Sequence, residues 1–373
     1  MNRIRSIQAV LLAAALSLSF GFPLHAADFY QTAATKKGIL VNSEAELPQL
    51  VDLNVSQVIL NFPLSYAYNE AHFAANEHFL QSLKSRGISI TLIVLNDWGA
   101  SVANPALLPV SSPAAGANYY AFNTLNEEGL RATREAASRI VNRLGSYVSS
   151  WVIGNEINDG QAWNYIGAMD IDSYAAHYAK AYRCWYDTIK GVNSLARVYI
   201  PFDFRWNHGA VNGSKYTVKE LLPRLNALLR DTDYGIAWHA YPENFEDPVF
   251  TDDRLCTDDA NTPYINLKNL SVLTSYLEST ELRTLSGAVR SLSLTEQGFT
   301  SVSPAQGGER QDLQLQMIQE AYRIAAADPH VEAFMLNRLQ DDAGLVAQSY
   351  AFGLLDLNGN PKAAYSMYRD IDS

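Results

Sequence analysis

Cysteine is scarce in these 373 residues, with Cys184 and Cys256 the only two. A framework of several disulfides is therefore excluded, and at most one bridge can form in an oxidising compartment. The spacing leaves open whether the two Cα atoms come within bridging distance. Basic charge is scarce as well. Lys and Arg number 28 against 39 Asp and Glu, a formal net charge of −11, and no basic stripe runs along the chain. Nucleic acid is therefore a poor partner. The acidic balance argues more weakly against strongly anionic polymers, because a local cleft can differ from the total. Also missing are a Gly-x-Ser-x-Gly elbow and a His-x-His pair after the first strand. Serine-hydrolase chemistry and an anchored metal both lack their usual signatures, so no cofactor or metal is expected. No repeat, low-complexity tract or Pro/Ser linker divides the chain, and no membrane span is expected beyond its N-terminal segment.

What is present begins with that segment. Arg3 and Arg5 precede an apolar run over 7–22, and Pro23-Leu24-His25-Ala26-Ala27 follows. A positive start, an apolar stretch and small residues at a cleavage point read as a signal peptide over 1–26. A membrane anchor is the alternative, but the run is short and carries Ser17, Ser19 and Gly21. No Cys follows it to take a lipid. The expected location is secreted or periplasmic, with 27–373 as one catalytic domain.

Within 27–373, short β-rich apolar runs alternate with amphipathic stretches. Strands are expected at 38–42, 57–62, 88–95, 148–154, 197–203, 234–240, 291–296 and 331–337. Several are apolar almost throughout, as in parallel strands buried on both faces. Helical patterns occupy 73–85, 127–144, 171–189, 218–229, 267–277 and 312–325, with a last one near 362–371. Eight such units predict an α/β fold, the (β/α)8 TIM barrel as a single domain. An open doubly wound sheet is the runner-up, but Asn42-Ser43-Glu44 after the first strand is no Gly-rich loop.

A barrel places its active site at the C-terminal ends of its strands. The longest connections on that side follow strands 3, 4 and 6, at 99–124, 159–170 and 242–262. Glu156 closes strand 4 and Glu296 closes strand 7. Each alone reads as a solvated charge. Together they supply the two carboxylates that glycoside hydrolysis requires, one to protonate the leaving oxygen and one to act as nucleophile or base. Trp98, Trp163 and Trp206, with Tyr66 and Tyr68, lie after strands 2 to 5. Flat rings at such positions suit stacking on sugars, which points to an extended cleft for an oligo- or polysaccharide. The acidic group Asp252, Asp253, Asp258 and Asp259 lacks the ordered spacing of a calcium loop and reads as a solvated surface.

The segment Trp151-Val152-Ile153-Gly154-Asn155-Glu156, taken with Thr295-Glu296-Gln297-Gly298, resembles clan A of the glycoside hydrolases. The ending Phe352-Gly353-Leu354-Leu355-Asp356 through Tyr365 is similar to that of many members. Among them the chain looks closest to a bacterial family of undefined function. The resemblance implies a retaining enzyme with Glu156 as acid/base and Glu296 as nucleophile. It further implies that Asn155 binds the 2-hydroxyl of the reacting sugar, that Tyr241 hydrogen-bonds the nucleophile, and that His239 lines the same subsite. The Trp that many members carry at the end of strand 8 is replaced by Asn337-Arg338, whose polar groups are expected to contact the sugar instead. Two alternatives stay open: a non-catalytic carbohydrate-binding barrel with a degraded site, and a metal-dependent hydrolase.

Overall fold

A computed structural model describes residues 28–209 and 215–372; the expected signal peptide lies outside the described residues. Eight parallel strands close on themselves: β1 (Lys37–Leu40), β2 (Gln57–Pro63), β3 (Ser89–Leu95), β4 (Ser150–Ile153), β5 (Arg197–Phe202), β6 (Gly235–His239), β7 (Leu292–Gln297) and β8 (Val331–Leu336). Each pairs with its neighbours in sequence, and β8 returns to β1 with Phe334 opposite Lys37. The fold is a (β/α)8 barrel, and the open doubly wound alternative is excluded because the sheet has no edge.

The helices that follow the strands are α1 (Leu47–Asp52), α2 (Glu70–Ser85), α3 (Glu127–Leu144), α4 (Ile171–Val192), α5 (Val218–Leu229), α6 (Leu270–Leu277), α7 (Gln311–Ala327) and α8 (Ala363–Asp370). Their starts follow from capping chemistry. Asn69, Asn126, Asp170 and Thr217 each accept a backbone N–H of the first turn. Helix α6 begins three residues later than its apolar pattern suggests. Asn269 accepts from the Asn266 N–H and donates to Thr257 and Tyr264, which fixes 266–269 as a turn.

Two apolar layers hold the barrel. Inside lie Leu40, Ile59, Ile93, Leu95, Val152, Tyr199, Ala237 and Met335. Outside, strand residues such as Leu60, Leu92, Trp151, Val198 and Phe334 pack with Leu83, Ile140, Tyr182, Leu225 and Ile318 of the helices. Burial on both faces explains the near-continuous hydrophobicity of the strands. At the start of β1, the fully buried Lys37 pairs with Asp372 at 2.6 Å and donates to the Arg369 carbonyl at 2.9 Å. On the β8–α8 connection, buried Lys362 and Asp341 pair at 2.7 Å, and Lys362 also donates to Ser301 and Ala351. Cys184 and Cys256 are buried free thiols, so no bridge joins them. Among the described residues, no helix is long and apolar enough to cross a membrane.

Candidate active site

The two glutamates meet over the barrel mouth. After β4, Gly154 turns the chain at φ +88°, and Glu156 itself takes φ +36°, a left-handed conformation rare for a side-chain-bearing residue. The turn is pinned on both sides. Tyr178 donates to the Ile153 carbonyl at 2.7 Å, Tyr174 to that of Ile157 at 2.5 Å, and Ile157 N–H to Pro201. On β7, the register against β6 shifts between Trp238 and His239, bringing His239 opposite Glu296. Gly298 follows, and a Cβ there would stand 2.7 Å from the Asn337 carbonyl. Only glycine lets the ends of β7 and β8 approach so closely.

His239 lies between the carboxylates, fully buried, with Nδ1 at 2.8 Å from Glu156 Oε1 and 3.7 Å from Glu296 Oε2. Those two distances to one nitrogen cap the separation of the two oxygens at about 6.5 Å. Tyr241 donates its hydroxyl to Glu296 Oε1 at 2.7 Å. Asn337 donates its amide to the Tyr241 oxygen and, at 3.3 Å, to Glu296 Oε1.

Electrostatics separate the two carboxylates. Burial pushes the Glu156 carboxyl up to about 7, against the opposing pull of its His239 hydrogen bond, and the charges of Asp203 and Glu296 push it further upward. Burial alone would lower the imidazole of His239, but the charges of Glu296 and Glu156 outweigh it and the net shift is upward. Both groups are therefore shifted toward their protonated forms, and they lie within hydrogen-bond distance of each other. Burial and the Glu296 charge keep the Tyr241 hydroxyl protonated and donating. Asp203 is held by Asn158 at 2.5 Å and by Arg205 at 2.5 Å. Arg205 also meets Asp159 at 3.2 Å.

A cavity of 640 Å³ opens above these groups, a volume suited to a sugar ligand. Asn155, Glu156, Trp163, Tyr241, Glu296, Asn337 and Arg338 all line it. His239, expected to line the subsite, does not line the cavity; it is fully buried behind Glu156. Trp163 and Tyr119 make one aromatic wall, with ring centroids 6.0 Å apart. Tyr241, Phe245, Tyr350 and Phe352 make the other.

Two tryptophans expected in the cleft are elsewhere. Trp206 is 1 % exposed, packed edge-on against Tyr276 and donating to the Ala260 carbonyl, so it serves the core. Trp98 packs on Tyr120 and faces a separate depression lined by Pro105, Leu108 and Asn126. Asp203 and Arg205, which were not singled out in the sequence, follow β5 and line the same cavity. Their position at a strand end was the available signal. Of the acidic group, Asp253 is buried while Asp252, Asp258 and Asp259 are exposed. Asp253 gathers instead with Glu243 and Cys256, whose donor atoms lie within 4.8 Å of one another. Burial pushes the Cys256 thiol up to about 12 and Asp253 up to about 7, so protonated ligands weaken any cation site there.

The fold is that of the glycoside hydrolase barrels. A family 39 glycoside hydrolase from Bacteroides cellulosilyticus WH2 superimposes with TM-score 0.64 at 16% identity, over 92% of this chain and 64% of that one. A family 2 β-galacturonidase from Eisenbergiella tayi gives 0.55 at 13%, over 90% and 51%. A family 1 β-glucosidase from Thermotoga maritima gives 0.57 at 11%, over 88% and 85%. This chain thus spans less than two thirds of the first two proteins. The chain itself belongs to the family of unknown function DUF5722, which matches residues 29–373. No curated protein matches it.

Proposed function

We propose that this protein is a retaining glycosidase that cleaves a β-linked oligo- or polysaccharide outside the cytoplasm. The observation that carries the reading is the closeness of the carboxylates, one oxygen of each lying at most about 6.5 Å apart through their contacts with His239. Retaining enzymes hold their carboxyls roughly 5–5.5 Å apart, whereas inverting ones need roughly 6.5–9.5 Å to admit water. The glycoside hydrolase activities of the structural relatives support the same class, and the N-terminal apolar segment supports export.

In the first step the protonated Glu156 gives its proton to the glycosidic oxygen. Glu296, positioned by Tyr241 and Asn337, attacks C1 and forms a glycosyl ester as the C1–O bond breaks. The charge of Glu296 is then gone, and one of the causes holding Glu156 protonated goes with it. Glu156, now a carboxylate, takes a proton from water as that water attacks C1. The ester breaks, Glu296 regains its charge, and the sugar leaves with its original configuration.

The test is a panel of fluorogenic glycosides with the wild type, Glu296→Ala and Glu156→Ala. Each variant is expected to lose at least about 10³-fold in kcat, azide is expected to rescue Glu296→Ala, and NMR is expected to show the β-anomer as first product. An α-anomer appearing first overturns the retaining assignment. Glycan binding without any turnover by the wild type favours a non-catalytic barrel, and loss of activity to a chelator favours a metal hydrolase.

A further inference from the structure

We infer that the reacting sugar is a hexuronic acid whose carboxylate is held by Arg338. The inference rests on the glycosidase reading for one thing only, the location of the reacting sugar between Glu156 and Glu296.

Position comes first. Arg338 directly follows Asn337, the residue that touches both Glu296 and Tyr241, and it lines the same cavity as the two glutamates. A side chain placed there reaches the substituents of the sugar whose C1 is at Glu296, rather than those of a remote unit.

Charge comes second. A guanidinium is always ionised and presents its donors in a rigid fork. The nearest partner of this one is a neutral amide, Asn42 Oδ1, at 3.3 Å from Nη2. The nearest carboxylate, Asp342 Oδ2, stands 3.8 Å from Nη1, outside hydrogen-bond reach. The other Asp342 oxygen is committed to the backbone N–H groups of Gly344 and Leu345. Glu46 is likewise occupied, both its oxygens holding Asn42. Nε is buried with no protein acceptor. The side chain keeps 17 % of its surface exposed.

The other arginine of the cavity shows what compensation looks like. Arg205 is tied to Asp203 at 2.5 Å and to Asp159 at 3.2 Å. Arg338 has only the longer-range charges of Asp342 and Glu46, with no carboxylate in hydrogen-bond contact. A neutral hexose offers it hydroxyl oxygens and leaves it without a charged acceptor in direct contact. The C5 carboxylate of a hexuronic acid supplies a planar, charged acceptor that matches the fork. The cation also offsets the repulsion between such a ligand and Glu296 in the same cavity. The acidic exterior of the protein does not decide the matter, because surface charge is screened over about 8 Å at physiological salt.

Matched aryl β-glycosides provide the test: glucuronide against glucoside, and galacturonide against galactoside. They are to be assayed with the wild type, Arg338→Gln and Arg338→Lys. One uronide is expected to exceed its neutral partner in kcat/KM by about 100-fold. That ratio is expected to collapse in Arg338→Gln and to take an intermediate value in Arg338→Lys. Neutral glycosides cleaved as fast as the uronides overturn the inference and leave the glycosidase reading standing. A 6-sulfated glycoside preferred over both overturns the carboxylate assignment. Calorimetry of Glu296→Gln with free uronic acids and their neutral sugars separates binding from turnover. If nothing is hydrolysed, Arg338-dependent binding of the acid supports the inference while the reaction assignment falls. Equal binding of acid and neutral sugar sinks it.

Discussion

The Glu156 carboxyl sits where burial disfavours its charged form, and Asp203 adds a negative charge nearby. With Glu156 as the proposed acid, the free protein should act only while Glu156 holds its proton, so kcat/KM should fall as pH rises through about 7. Asp203→Asn removes one cause of the upward shift and leaves Asp159 as the carboxylate partner of Arg205. The alkaline limb should then move to lower pH, and a pH–rate profile in which it stays put or moves up would refute this account. Tyr241 makes a charge-assisted hydrogen bond to Glu296, the proposed nucleophile, of the kind worth roughly 1.5–3 kcal/mol. Tyr241→Phe should therefore lower kcat about 10- to 100-fold with a smaller change in KM, measured on the best glycoside of the panel. The gathering of Glu156, Glu296, Asn155 and Tyr241 around one cavity was legible in the sequence, because a strand end fixes where a side chain starts. Trp98 and Trp206 were not, because the direction of a ring on a loop depends on how that loop packs. Trp206 turns inward onto Tyr276, and nothing local in the sequence announces it.

Among elements, α3 and α5 were readable to the residue, because each joins an apolar stripe to a capping side chain. Helix α1 escaped notice, since six residues show too little periodicity to separate from a loop. The same limit applies to the β8–α8 connection, whose order comes from long-range contacts that local pattern cannot reveal. Lys362 and Asp341 are almost fully buried, and Asp341 also accepts the Gly353 N–H at 2.7 Å. This pair fixes the segment that carries Tyr350 and Phe352 to the cavity wall. Asp341→Ala strands the Lys362 charge and should cost about 3–5 kcal/mol. Urea unfolding measures it, and a loss below 1 kcal/mol would show the connection to be held by other means. Asp341→Asn, which keeps an acceptor for the Gly353 N–H, should cost less than Asp341→Ala.

For the whole molecule, closure was foreseeable from the count of eight alternating units, but not its fastening. Lys37 opens β1 and Asp372 lies beyond α8, and no sequence pattern joins residues so far apart. The barrel mouth carries local strain at Glu156, a partly buried residue on a left-handed backbone, a conformation that costs roughly 1–3 kcal/mol outside glycine and asparagine. Its raised pKa adds a pH-dependent part. The stability it contributes is complete below 4.5, its ordinary value, and is lost as pH rises towards about 7. Glu156→Asn accepts the same backbone angle without the carboxylate. It should therefore melt about 2 °C above the wild type near neutral pH, with a smaller margin near pH 4.5, while being inactive. In thermal melts across that range, the catalyst would prove less stable than its own disabled form, which marks Glu156 as a residue retained for reactivity against the interests of folding.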